Sequence, residues 1–157
     1  MTDTTTDDER AVLAAAIDDG PTIDLLLAMT EVWNTRNIDA IPAVFSPAMT
    51  FNGFVVDHDG LRAMVERQWT AFPDFHLAIR HASFAAHAQL VTLRMHWTGT
   101  HDGTYHSRVG VLPATGAAFA IDGIEQYAIA DGRIAAGWAA WDLVSMLQAF
   151  GAIPTPS

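Results

Sequence analysis

Residues 117–142 read AAFAIDGIEQYAIADGRIAAGWAAWD, and this stretch decides the fold. Apolar residues alternate with small or polar ones on either side of Asp131-Gly132. Such a pattern predicts two antiparallel strands, Ala117–Ile129 and Arg133–Asp142, joined by a tight turn. Upstream, Phe75–Ala85, Gln89–Thr100 and Tyr105–Leu112 carry the same signature, with Asp102-Gly103 and Ala114-Thr115-Gly116 as turn signals. If Asp102-Gly103 made a two-residue turn, Val109 and Val111 would share a face with Arg94 and His96. The apolar pattern sets them beside Leu93, Met95 and Trp97 instead, so a bulge or longer loop is expected there.

Helical spacing dominates the first half. Asp7 or Asp8 caps a short helix through Ile17, and Thr22 caps a second one with Leu25, Leu26, Met29, Val32 and Trp33 at 3–4 spacing. Ile38–Phe45 reads as a short third helix with Pro42 near its first turn, and Met49–Val56 as a strand. A helix opened by Asp59 stops at Phe72-Pro73, and Leu143–Phe150 forms the last, ended by Gly151. Helices followed by a run of antiparallel strands indicate α+β, with helices on one face of a curved sheet.

The 157 residues suit one domain, with half of them apolar and 17% charged, which excludes disorder of the whole chain. Residues 1–8 read as a disordered acidic tail and 9–153 as a single domain. The net charge of −10 makes nucleic acid and anionic membranes poor partners. No cysteine and no lysine is present, so thiol nucleophiles, disulfides, Cys-ligated metals and Schiff-base chemistry are excluded. No leader and no membrane span is visible, and the chain is expected to be cytoplasmic. The seven histidines form no His-x-His or Glu-x-x-His pattern, so no metal site is expected. His101, at a hairpin end, is placed at the rim of a pocket.

Period-2 alternation on the last strand puts Ile134, Ala136, Trp138, Ala140 and Asp142 on one apolar side. A carboxyl on that side has a raised pKa and is a candidate general base. Asp142 also suits the N-cap of the helix that follows, and both roles stay open. Of the neighbours Glu125 and Gln126, one faces inward, and glutamine is the less expensive to bury. Gln126 is thus the candidate contact to a substrate carbonyl, against the reading of a solvated strand residue. The many aromatics serve ordinary packing, or line an apolar small-molecule pocket in part.

Several motifs occur in a fixed order: Trp33-Asn34 with Ile38-Asp39, Gly60-Leu61-Arg62, and Ala71-Phe72-Pro73-Asp74. They continue with Gly99-Thr100-His101-Asp102-Gly103, Pro113-Ala114-Thr115-Gly116, Asp131-Gly132-Arg133-Ile134 and Trp138-Ala139-Ala140-Trp141-Asp142. Over roughly residues 22–152 the chain resembles the SnoaL-like polyketide cyclases (ester cyclases) of the NTF2-like superfamily. The resemblance implies an α+β cone, a bent antiparallel sheet whose N-terminal helices close one end around a deep apolar cavity. It implies a cofactor-free enzyme that closes a ring in a hydrophobic polycarbonyl substrate by intramolecular aldol chemistry. Asp142 matches the acid/base and Gln126 the substrate-contacting glutamine, with Trp138, Trp97, Trp69, Phe54 and Trp33 as walls. It also implies homodimers. Ala136-Gly137, Ala139 and Ala128 depart from the family pattern, which commonly has Glu-His, an acid and a histidine there. Relatives with this fold include ring-closing enzymes that only template the substrate, isomerases, dehydratases and noncatalytic binders, and these remain alternatives.

Overall fold

A computed structural model describes residues 4–155. Five helices, α1 (Thr4–Ala14), α2 (Gly20–Thr35), α3 (Ile41–Val44), α4 (His58–Ala71) and α5 (Leu143–Ala149), accompany eight strands. The strands are β1 (Phe45–Phe51), β2 (Phe54–Asp57), β3 (His76–Ala85), β4 (Leu90–Thr100), β5 (Tyr105–Ser107), β6 (Gly110–Leu112), β7 (Ala118–Ala130) and β8 (Arg133–Trp141). This is the α+β, NTF2-like architecture expected. Helix α1 begins at Thr4, so residues 4–8 of the expected tail are helical, and residues 1–3 lie outside the described residues.

Six strands form one unclosed sheet in the order β2-β1-β8-β7-β4-β3, antiparallel except for β1 beside β8. Residues 105–112 correct an expectation. They make their own hairpin, β5–β6, and β4 pairs with β7 instead. The conflict over faces at Asp102-Gly103 therefore disappears: Leu93 and Met95 lie buried opposite β7, while Val109 and Val111 stay exposed. The chain leaves the sheet after Thr100, and the backbone N–H groups of Asp102 and Gly103 both donate to Ala71 O at 3.1 Å. A side chain on Gly103 would lie 1.8 Å from Thr70 O, so only glycine permits this docking onto the end of α4. Met49–Val56 is likewise a hairpin and not one strand, because Asn52 and Gly53 both take positive φ and join β1 to β2.

Local chemistry explains the helix positions. Asp19, not Thr22, caps α2 and accepts from Thr22 N, with Pro21 in the first turn. Asn34, near the end of α2, grips Leu77 of β3 through both backbone groups at 2.8 Å. Trp69 of α4 donates its indole N–H to Trp33 O at 2.6 Å, and Arg36 lies 4.0 Å over the Trp69 ring. Strand β3 is the sheet edge, and buried Glu9 of α1 covers it by accepting from Ile79 N–H at 2.8 Å, next to a bulge between Ile79 and His81. The core lies between the concave sheet face and the helices, with Leu26, Met29, Ile41, Met49, Leu93 and Met95 fully buried. Ile124 and Trp138 stand half exposed on the outer face. No helix among the described residues is long and apolar enough to cross a membrane.

Candidate active site

A cavity of about 320 Å³ opens between the concave face of the sheet and the helices. Trp33 of α2, Met64 and Gln68 of α4, Phe51 of β1 and Phe75 and Leu77 of β3 line it. Trp97 of β4, Glu125 and Tyr127 of β7 and Ala139 and Trp141 of β8 complete its sheet side. Asn52, Arg67, His106 and Arg108 are exposed and mark its mouth.

Glu125 is the carboxyl in this wall. On β7 the residues Phe119, Ile121, Gly123, Glu125 and Tyr127 share one parity and are all buried. Tyr127 OH donates to Glu125 Oε2, and Trp141 Nε1–H donates to Glu125 Oε1 at 3.0 Å. Burial pushes the Glu125 carboxyl up to about 7, against the pull of these two donors. Burial and the neighbouring carboxylate raise Tyr127 well above the ordinary tyrosine range.

Backbone geometry holds the trio. Gly123 and Gly137 pair with Trp141 and Tyr127 across β7 and β8. A side chain on Gly123 would come within 2.4 Å of the Trp141 ring, so glycine lets the indole lie directly on the strand. Trp97 covers its other side, with ring centroids 3.7 Å apart. This packing fixes where the Trp141 N–H points. Two further donors in the lining, Gln68 Nε2 and Trp97 Nε1, are buried with no hydrogen-bond partner. Such groups are destabilising unless a bound molecule accepts from them.

The sequence-predicted residues divide. Trp33 and Trp97 are among the residues that line the cavity. Asp142 does not. It is exposed, and it caps α5 by accepting from Ser145 N at 3.1 Å and Ser145 Oγ at 2.6 Å. Those bonds hold its carboxyl below the usual aspartate range, the opposite of a raised base. Gln126 points to the outer face, where its Nε2 donates to Thr92 Oγ1 at 3.0 Å. Gln126 follows the unbroken parity of β7, which turns Glu125 inward instead, whereas one residue of β8 turns Asp142. Ala128 pairs with Ala136 and Ile129 with Ile134, so Ala135 is an extra residue in β8. This bulge turns Gly137, Ala139 and Trp141 inward and Trp138, Ala140 and Asp142 away from the cavity.

Trp138 is 45% exposed on the outer face, and Phe54 is 74% exposed beside the β1–β2 turn. Trp69 packs between α2 and α4 and is not in the lining. His101 is completely buried away from the cavity, stacked on Phe150 at 4.2 Å and hydrogen-bonded to Thr115 Oγ1 at 2.9 Å. Burial lowers its pKa. The residues that sequence reasoning passed over are Glu125, Tyr127, Trp141 and Gln68. The apolar parity of β7 alone carried the signal for the first two.

Comparison with known proteins agrees with this architecture. The sequence profile of the SnoaL-like polyketide cyclases matches residues 23–150. No curated protein sequence matches the chain. Among solved structures, TsrD from Streptomyces laurentii superposes with a TM-score of 0.77 at 21% identity, over 87% of this chain and 99% of that one. IdmH from Streptomyces antibioticus gives 0.70 at 21% identity, over 85% and 99%. A SnoaL-like polyketide cyclase from Agrobacterium tumefaciens gives 0.69 at 18% identity, over 80% and 94%. At such identities the superpositions speak for a shared fold. With the profile covering most of its length, the chain belongs to the SnoaL-like polyketide cyclase family.

Proposed function

We propose that this chain is a cyclase that closes a ring in a hydrophobic polycarbonyl substrate, with Glu125 as its acid/base. The observation that carries this reading is a buried carboxyl in a cavity wall whose pKa of about 7 splits it between both protonation states near neutral pH. An ionised carboxylate has about four acceptor sites, and Tyr127 and Trp141 occupy one on each oxygen. A lone pair remains to take a proton from the carbon alpha to a substrate carbonyl. The resulting enolate attacks a second carbonyl of the same molecule, forming the new carbon–carbon bond. The alkoxide so made takes the proton back from Glu125, and the product is an isomer of the substrate. Gln68 and Trp97 supply unpartnered N–H groups for the carbonyl and enolate oxygens, a preorganised form of charge stabilisation. Asp142 takes no part in this scheme.

The first half-reaction is testable without the natural substrate. Exchange of the alpha protons of 2-tetralone for deuterium, followed by proton NMR, reports proton abstraction alone. Glu125→Gln is expected to slow the enzyme-dependent exchange by about 100-fold or more, the usual scale of general acid–base catalysis. Equal rates in wild type and variant refute Glu125 as the base. Wild-type exchange no faster than buffer assigns the cavity to binding alone.

A further inference from the structure

We infer that the substrate carries an anionic oxo group, a carboxylate or a phosphate, which stays at the cavity mouth between Arg67 and Arg108. This rests on the reading of the cavity as a substrate site and adds the class of molecule it takes. Arg67 extends from α4 and Arg108 from the turn between β5 and β6, and both line the same cavity. Both are exposed, and neither forms an ion pair with any described residue. Of the other six arginines, Arg10 meets Asp24 at 2.9 Å and Arg62 meets Asp39 at 3.7 Å, Arg36 lies over the Trp69 ring, Arg133 donates to Pro42 O, and Arg80 and Arg94, which do not line this cavity, form no ion pair with a described residue. In a chain of 18 acids and eight arginines, an opening lined by two arginines and by no exposed carboxylate departs from the protein's overall charge. The carboxyl among the cavity-lining residues, Glu125, is buried in the sheet wall and bonded to Tyr127 and Trp141. A guanidinium fork matches the geometry of a carboxylate or phosphate and stays charged at every working pH. The mouth thus selects a charged end, while the apolar interior takes the ring-forming part.

Calorimetric titration of the full chain with 2-naphthoate, its methyl ester and 2-naphthyl phosphate tests this. Two exposed pairings predict that 2-naphthoate binds about tenfold tighter than the ester at low salt. High salt should erase most of that preference. The double variant Arg67→Gln/Arg108→Gln, checked for folding by circular dichroism, should lose the preference while its affinity for the ester is unchanged. Tighter binding of 2-naphthyl phosphate than of 2-naphthoate assigns a phosphate, and weaker binding assigns a carboxylate. Equal affinity for acid and ester in the wild type, or a preference that survives in the double variant, overturns the inference. Glu125→Gln separates the two readings. If it exchanges protons normally yet keeps the acid preference, the base assignment fails alone. If it is inactive and wild type shows no acid preference, the anion site fails alone.

Discussion

Glu125→Gln should flatten the pH dependence of folding stability by a calculable amount. A glutamate in the unfolded chain titrates near 4.5, whereas Glu125 in the fold titrates at about 7. The folded chain therefore binds this proton more tightly than the unfolded one. Its stabilising contribution is fully present below about pH 4.5 and is lost as pH rises through 7. Linkage between those two values gives a loss on the order of 2–3 kcal/mol between pH 5 and pH 8. Physically, above pH 7 the fold must hold an ionised carboxylate away from water, with only Tyr127 and Trp141 to solvate it. Glutamine keeps one acceptor oxygen, for the Trp141 N–H, turns its NH2 to the Tyr127 hydroxyl oxygen, and removes the charge. Urea unfolding of both proteins at pH 5, 6, 7 and 8 measures the effect, because titrations elsewhere cancel in the difference. The stability of the variant relative to wild type should rise steadily across that range. If the relative stability stays level within about 0.5 kcal/mol, the accuracy such extrapolations allow, Glu125 is not the perturbed buried acid described here.

Three further outcomes follow from the same contacts. Trp141→Phe keeps a ring against Trp97 but removes the N–H that lowers the Glu125 pKa, so the acidic limb of a rate–pH profile should move to higher pH. An unmoved limb would detach Trp141 from the proton transfer. Asp142→Ala removes an N-cap and should cost about 1 kcal/mol in thermal or urea unfolding, with 2-tetralone exchange undiminished. A collapse of exchange in a folded Asp142→Ala protein would return the catalytic role to that residue. Gly123→Val places a side chain where the Trp141 ring lies, and should reduce exchange by displacing that indole from Glu125. Near-ultraviolet circular dichroism of the Trp97–Trp141 pair reports the displacement directly.

The order of elements was legible because it depends on local signals. Four strands, β3, β4, β7 and β8, and the α4 and α5 helices lie within a residue or two of where periodicity and turn residues put them. Two hairpins escaped for different reasons. Asn52-Gly53 is a strong turn signal, but it sits inside an apolar run that reads as one strand. Residues 105–112 have the composition of a sheet strand, and their exclusion from the sheet is set by distant contacts, the docking of Asp102 and Gly103 onto Ala71. Local composition holds no trace of that.

The site was the least legible part, and the reason is the bulge at Ala135. Strict alternation counted from Ile134 sends Trp138 and Asp142 inward and leaves Trp141 outside. An extra residue reverses every position after it, and nothing in a run of small residues such as Ala135-Ala136-Gly137 marks which one is unpaired. Strand β7, without a bulge in the segment facing β4, kept its parity from Phe119 to Tyr127, and Glu125 follows from it. Cost arguments pointed the other way, since glutamine is the easier residue to bury. The fold instead buries the acid and surrounds it with two donors held by glycines on facing strands. Placing a carboxyl where it is expensive, and then seating its partners' rings against glycines, is an arrangement with little structural benefit. In the proposed function it supplies a proton acceptor near neutral pH, at the wall of a largely apolar cavity.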